Sequence, residues 1–203
     1  MLFSFESQKP KAVEVTTAPL TPVLMRADIA LAEAFPCIEH GRDYAYATAG
    51  DWSTMDLITH ILRTTGPASL TASTWSVSEA AVINLTSAIQ AGDLPEVHFL
   101  VDWRVSVRTP SFMAIARQKF ADIRVTTCHA KLFVLSNQEW AISCVGSANF
   151  TSNPRIEAGY LSTNPQIADF HTAWIMAEIN RADPFGLDIR KRGKKRWKSL
   201  KKH

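Results

Sequence analysis

The stretch that decides the fold is CHAKLFVLSNQEWAISCVGSANFTSNPRIEAGYL, residues 128–161. It reads as two or three strands in succession, with the apolar runs LFVL and AISCV flanking the polar turn SNQE. Polar groups nevertheless recur in pairs at a spacing of two, His129 with Lys131 and Ser147 with Asn149. Side chains alternate faces along a strand, so each pair points one way. A turn centred on Gln138 sets His129 directly opposite Ser147 and brings both pairs to one side of a hairpin, while Leu132 and Val134 line the other.

Ahead of this stretch, strand and helix patterns alternate. DYAYATAG reads as a strand; DWSTMDLITHILRTTG reads as a helix with cap-type residues at its start, Met55, Ile58, Ile61 and Leu62 on one face and a stop at Gly66. ASLTASTWSV, EVHFLVDW and DIRVTT are the next strands. Between them lie the helices SEAAVINLTSAIQAG and TPSFMAIARQKFA, the second with Pro110 in its first turn. PQIADFHTAWIMAEINRAD closes as an amphipathic helix. This order predicts an α/β fold with a mixed, mostly parallel sheet covered by helices on both faces. One domain over residues 24–189 is expected, preceded by an irregular arm (1–23) rich in Pro and Thr and followed by a basic tail (190–203).

The 203 residues are 46% hydrophobic, enough for a sizeable core, and no run approaches the roughly 18 apolar residues of a membrane span. The first residues lack the charged-then-apolar order of a secretory signal. Three cysteines without a CxxC spacing suggest neither a disulfide framework nor a zinc site, and the expected compartment is a reducing cytoplasm. The net charge of +3 hides an asymmetry. RKRGKKRWKSLKKH holds nine of the 22 Lys and Arg and no acid, leaving residues 1–189 with 13 basic against 19 acidic side chains. Lys194, Lys195 and Arg196 in that tail suit a polyanion such as nucleic acid, and Trp197 can stack on a base. The same run also reads as a solvated end, and membrane contact is not expected.

The paired groups suit a phosphodiester. The Lys131 ammonium and the Asn149 amide can donate to non-bridging oxygens and stabilise the charge of a pentavalent transition state. The His129 imidazole can attack phosphorus or transfer protons near neutral pH. A carboxylate such as Glu157 can fix its tautomer. No acidic cluster has metal-ligand spacing, and His40, His60, His98 and His171 form none either.

HAKLFVL, then GSANFT, then RIE resemble the motif set of the phospholipase D superfamily, HxK followed by an Asp, GSxN and a Glu. The match is close over residues 128–160. The resemblance implies an α/β fold and a reaction that uses neither metal nor cofactor. It implies His129 as the nucleophilic or proton-donating histidine, Lys131 as the phosphate-binding lysine, Gly146, Ser147 and Asn149 as the phosphate pocket, and Glu157 as the group that orients the histidine. One position departs: the family's acidic residue five places after the Lys is Ser136 here, at the far end of the strand. The motif occurs once, whereas the family's chemistry uses two histidines. The resemblance therefore implies a homodimer whose twofold axis passes through the active site. Small single-motif members are commonly nucleases, which the length and the basic tail favour.

Three functional readings stay open: a metal-independent endonuclease on DNA or RNA working through a phosphohistidine, a catalytically silent nucleic-acid-binding dimer motivated by Ser136, and a phospholipid phosphodiesterase. Of the other polar groups, Asp102 and Arg104 in VDWR read as a surface ion pair near a strand end. Strand parity turns Cys128 and Cys144 away from the His129 face.

Overall fold

A computed structural model of the chain describes residues 11–15, 23–24, 27–152 and 155–181. In chain order the elements are β1 (Lys11–Val15), β2 (Val23–Leu24), α1 (Ala27–Ala34), β3 (Asp43–Thr48), α2 (Thr54–Thr65), β4 (Ser69–Thr74), α3 (Glu79–Ala91) and β5 (Val97–Asp102). They continue with α4 (Trp103–Arg108), α5 (Pro110–Lys119), β6 (Asp122–Thr126), β7 (Leu132–Ser136), β8 (Ala141–Gly146), β9 (Glu157–Ser162) and α6 (Pro165–Arg181).

The helices start where the sequence supplies caps. Ser53 opens α2 with a capping box, its hydroxyl accepting from Asp56 N and the Asp56 carboxylate accepting from Ser53 N at 2.8 Å. Ser78 caps α3, which ends on Gly92 in the left-handed region at φ 83°. Met55, Ile58 and Ile61 are buried along one face of α2, as their spacing requires. The apolar run of β5 stops at Asp102, which caps the short helix α4 where the strand was expected to continue to Trp103.

All nine strands form one sheet, in the order β2-β1-β3-β9-β8-β7-β4-β5-β6. The expectation of a mostly parallel sheet is corrected here: among the described residues only β4–β5 and β5–β6 pair in parallel, and the other six pairings are antiparallel. The physical reason is the meander β7–β8–β9. Its short connections force antiparallel neighbours, and it inserts between β4 and β3. β3, β4, β5 and β6 still run in the same direction, because four antiparallel steps separate β3 from β4. The helical crossovers thus set direction, and the meander sets adjacency. Within the arm expected to be irregular, Lys11–Val15 is a strand paired with β3 and β2.

Helices cover both faces, as expected. α6 lays Ala168, Ile175 and Ile179 on Leu100, Leu132 and Val134. The larger cluster on the opposite face joins Ile58, Leu85 and Phe112 from the helices to Phe99, Val101, Phe133 and Leu135 from the strands. Each of these fully buried side chains contributes roughly 1.5–3 kcal/mol.

The register of the central hairpin differs by one residue from the expected pairing. Asn137 N donates to Trp140 O at 2.9 Å, and the Asn137 carboxamide oxygen accepts from the backbone N–H groups of Glu139 and Trp140. That side-chain-closed turn centres between Gln138 and Glu139, so Leu132 pairs with Val145 and Ser136 with Ala141. Lys131 consequently lies across from Gly146, whose N–H donates to Lys131 O at 3.1 Å, and His129 is not opposite Ser147.

Near the site, β9 passes so close to the Tyr46 ring that only glycine fits at position 159. A Cβ there would stand 2.4 Å from the Tyr46 hydroxyl oxygen and 2.5 Å from the ring carbon bearing it. Tyr46 is itself buried in the core. Gly159→Ala is therefore expected to lower unfolding stability by about 1–3 kcal/mol in a urea titration, and an unchanged midpoint would contradict this packing.

Candidate active site

The directions of the strands bring one set of ends together. The carboxyl ends of β3, β4, β5, β6 and β8 lie along the same edge of the sheet as the amino ends of β7 and β9. Ligands of open α/β sheets bind outside the carboxyl ends of strands. The motif residues His129 and Lys131 precede β7, Ser147 and Asn149 follow β8, and Glu157 begins β9, so all five stand at this edge.

The segment carrying His129 is tied down from beneath. Cys128 N donates to Asp102 Oδ2 at 3.1 Å, the Cys128 thiol meets the Ser73 hydroxyl at 3.0 Å, and Ser73 Oγ donates to Ala130 O at 3.3 Å. Cys128 and Ala130 pack towards α6. The alternation of an extended segment then turns His129 and Lys131 the other way. Lys131 Nζ donates to His129 O at 3.0 Å and lies 3.4 Å from both ring nitrogens of His129. His129 is exposed to solvent and Lys131 is half-buried.

Asn149 is held through its backbone and its side chain. Thr54 Oγ1, at the start of α2, donates to Asn149 O at 2.9 Å. Thr74 Oγ1, ending β4, donates to Asn149 Oδ1 at 3.3 Å, which leaves the amide Nδ2 as the donor available to an anion. Ser147 continues the β8–β9 ladder, donating from its N–H to Ala158 O at 2.9 Å, while its hydroxyl accepts from Ala158 N at 3.0 Å and donates to the Glu157 carboxylate. Glu157 thus holds Ser147 in place, and among the described residues no carboxylate reaches the His129 ring. The orienting role expected for Glu157 is not the contact found within one chain.

Two expectations change in the surroundings. Asp102 is not half of a surface pair but is 1% exposed, and Arg104 Nη1 and Arg104 N donate to its Oδ1 at 3.0 and 3.1 Å. Cys144 pairs with Phe133 and faces the same side as Lys131 and Gly146, a consequence of the one-residue register difference. It lines a small recess with Tyr46, Thr54, Lys131, Gly146 and Phe150. Burial pushes the Cys144 thiol up to about 12, despite a 3.3 Å contact with the Tyr46 hydroxyl, so it stays protonated and is a poor nucleophile. Ser136 closes the far end of β7, pairing with Ser69 and Ala141 at the opposite edge of the sheet from Lys131. The basic tail residues Lys194, Lys195, Arg196 and Trp197 lie outside the described residues.

Three groups, one of them in contact with His129 and the other two in contact with that one, carry no sequence motif. The Trp75 ring, just after β4, meets the His129 ring edge-on with centroids 5.7 Å apart. The Arg104 and Arg108 guanidiniums of α4 lie 5.6 and 5.2 Å from the Trp75 centroid. The position of Trp75 at a strand's carboxyl end was a usable signal, but Arg104 and Arg108 reach the site only through the turn of α4.

No family model and no curated protein matches the sequence. Solved structures similar to the chain include a phospholipase D family member, Nuc from Salmonella typhimurium, at 17% identity and a TM-score of 0.48, covering 62% of this chain and 86% of that one. Polyphosphate kinase from Porphyromonas gingivalis matches at 15% identity and a TM-score of 0.50, over 78% of this chain and 29% of the other. TrmBL2, an archaeal chromatin protein described as showing a novel mode of DNA binding, matches at 8% identity and a TM-score of 0.50, over 72% of this chain and 54% of the other. At these identities the likeness is one of fold.

Two outcomes test the site's construction. Asp102→Ala leaves the N–H groups of Cys128 and Arg104 without their acceptor and is expected to cost about 2–4 kcal/mol in chemical denaturation; a cost within experimental error would contradict the role given to this carboxylate. Iodoacetamide at about pH 8.5 should label the exposed Cys37 in the native protein and spare Cys144. Equal labelling of the two would show that Cys144 is neither buried nor held protonated.

Proposed function

We propose that the chain is a phosphodiesterase of the phospholipase D superfamily, acting on nucleic acid as an endonuclease without a metal ion. One observation carries the reading: five motif residues 28 positions apart at their extremes, His129, Lys131, Ser147, Asn149 and Glu157, stand along one sheet edge with cationic and amide donors beside an accessible imidazole. Lys131 Nζ and Asn149 Nδ2 are the donors for non-bridging phosphate oxygens, and their charge and dipole count most as the pentavalent state gathers negative charge.

A ring nitrogen of His129 attacks phosphorus, forming a P–N bond as the P–O bond to the leaving strand breaks. The leaving oxygen takes its proton from a second imidazole, which the single motif obliges a second copy of the chain to supply across a twofold axis. Water then attacks the phosphohistidine, that second imidazole accepts the water's proton, and the P–N bond breaks to release the monoester and restore His129. The tail bearing Lys194, Lys195, Arg196 and Trp197 adds salt-sensitive affinity for the polymer. Ser136 lies at the other end of a five-residue strand, so the missing acid is not part of the reacting set.

A second reading, a catalytically silent dimer that binds nucleic acid, draws on the engagement of Glu157 with Ser147, which leaves His129 without a carboxylate partner among the described residues of its own chain. Cleavage of single- and double-stranded DNA and RNA in the presence of a chelator separates the two. The enzyme reading expects turnover in chelator and a loss of roughly a thousandfold in kcat for His129→Ala. Activity abolished by the chelator would sink the metal-independent mechanism. Salt-sensitive binding with no turnover would replace it by the silent dimer.

A further inference from the structure

The Trp75, Arg104 and Arg108 cluster is not used by the chemistry above, and its two arginines differ in how their charge is engaged. Arg104 is neutralised by the buried Asp102 carboxylate and lies against two indoles, 5.6 Å from the Trp75 centroid and 5.0 Å from that of Trp103. Arg108, at the end of α4, is exposed and has no carboxylate partner among the described residues. Its guanidinium is placed by Trp75, at 5.2 Å from the ring centroid. A cation seated on an indole keeps its outward N–H donors free for a second, anionic partner, and the planar fork of arginine suits phosphate.

The same indole touches the reacting histidine. The 5.7 Å between the Trp75 and His129 centroids and the 5.2 Å from Trp75 to Arg108 put the guanidinium no farther from the imidazole than the sum of the two distances. One strand of a nucleic acid advances about 3.4 Å along its axis per phosphate. Adjacent phosphates lie farther apart than this axial rise, because the backbone also winds around the axis, and the phosphate next to the scissile one falls within that span.

We propose that Arg108, held on Trp75 and backed by Arg104, is a second phosphate subsite that takes a phosphate neighbouring the scissile one, so that the site selects a polymer of phosphodiesters over an isolated diester. The inference rests on the phosphodiesterase reading and narrows its substrate class. A polynucleotide presents the second phosphate at a fixed spacing, whereas a lone diester leaves Arg108 unused. Trp75 positions the guanidinium and is not itself a reacting group.

The test compares the wild type with Arg108→Gln on two substrates, a short single-stranded oligonucleotide and methyl 4-nitrophenyl phosphate, over a range of salt. Because Arg108 is exposed, its substitution leaves the fold intact; Trp75→Leu serves as a second variant that releases the guanidinium. The expected result is a rise of about tenfold in the oligonucleotide KM for Arg108→Gln, with a change at least several-fold smaller on the minimal diester. The slope of log KM against log salt should also fall by about 0.7, the value of one single-strand phosphate contact. Equal effects on both substrates, or none on either, would overturn the subsite while leaving the phosphodiesterase reading in place. Wild-type turnover of the minimal diester without the oligonucleotide would do the same. A wild type that hydrolyses neither would overturn both.

Discussion

A carboxylate buried away from solvent organises the edge of the sheet that carries the motif residues. Asp102 ends β5 at 1% exposure, and its two oxygens collect three donors: the N–H of Cys128, the N–H of Arg104 and the Arg104 guanidinium. A buried charge is tolerated only when paired and hydrogen-bonded, and removing its partners is far costlier than the pair's net gain. The chain between β6 and β7 is therefore fixed at Cys128, one residue before His129, and α4 is fixed at its first turn. The imidazole and the arginines share Trp75 as a neighbour, and one acid holds both of their segments.

The second constraint is topological. Four strands linked by helices run the same way, and the meander β7–β8–β9 fills the gap between two of them. Only this insertion puts the start of β7, the end of β8 and the start of β9 beside the end of β4. Thr74 and Thr54 can then fasten Asn149 from two other elements, and Ser147 with Glu157 closes the ladder. The result is a row of polar groups on rigid supports, which a phosphate needs if its oxygens are to meet fixed donors.

Much of this was legible in the residues. Ser53 with Asp56, Ser78 and Gly92 marked helix ends by local hydrogen bonding, and the apolar spacing of α2 marked its buried face. The directions of β3 to β6 followed from the intervening helices. Adjacency did not, because pairing of β7 with β4 and β9 with β3 is a contest between distant segments that no local pattern encodes. The register slipped by one because the carboxamide of Asn137 closes the turn on Glu139 and Trp140, a side-chain contact invisible in a pattern of apolar residues. That slip also turned Cys144 into the recess beside Lys131. Asp102 looked like a surface acid because two of its three donors are backbone N–H groups, which leave no trace in residue types. Trp75 lies far from His129 in sequence and meets it only in the folded chain, where Arg108 is seated on the same indole.

The central claim is that His129 forms a covalent bond to phosphorus, and stereochemistry at phosphorus reads that step directly. Each in-line displacement inverts configuration, so attack by His129 followed by attack of water restores it. Hydrolysis of a chiral phosphorothioate diester in isotopically labelled water, with chelator present, should give retention of configuration. Inversion would mean a single displacement by water and would contradict the phosphohistidine.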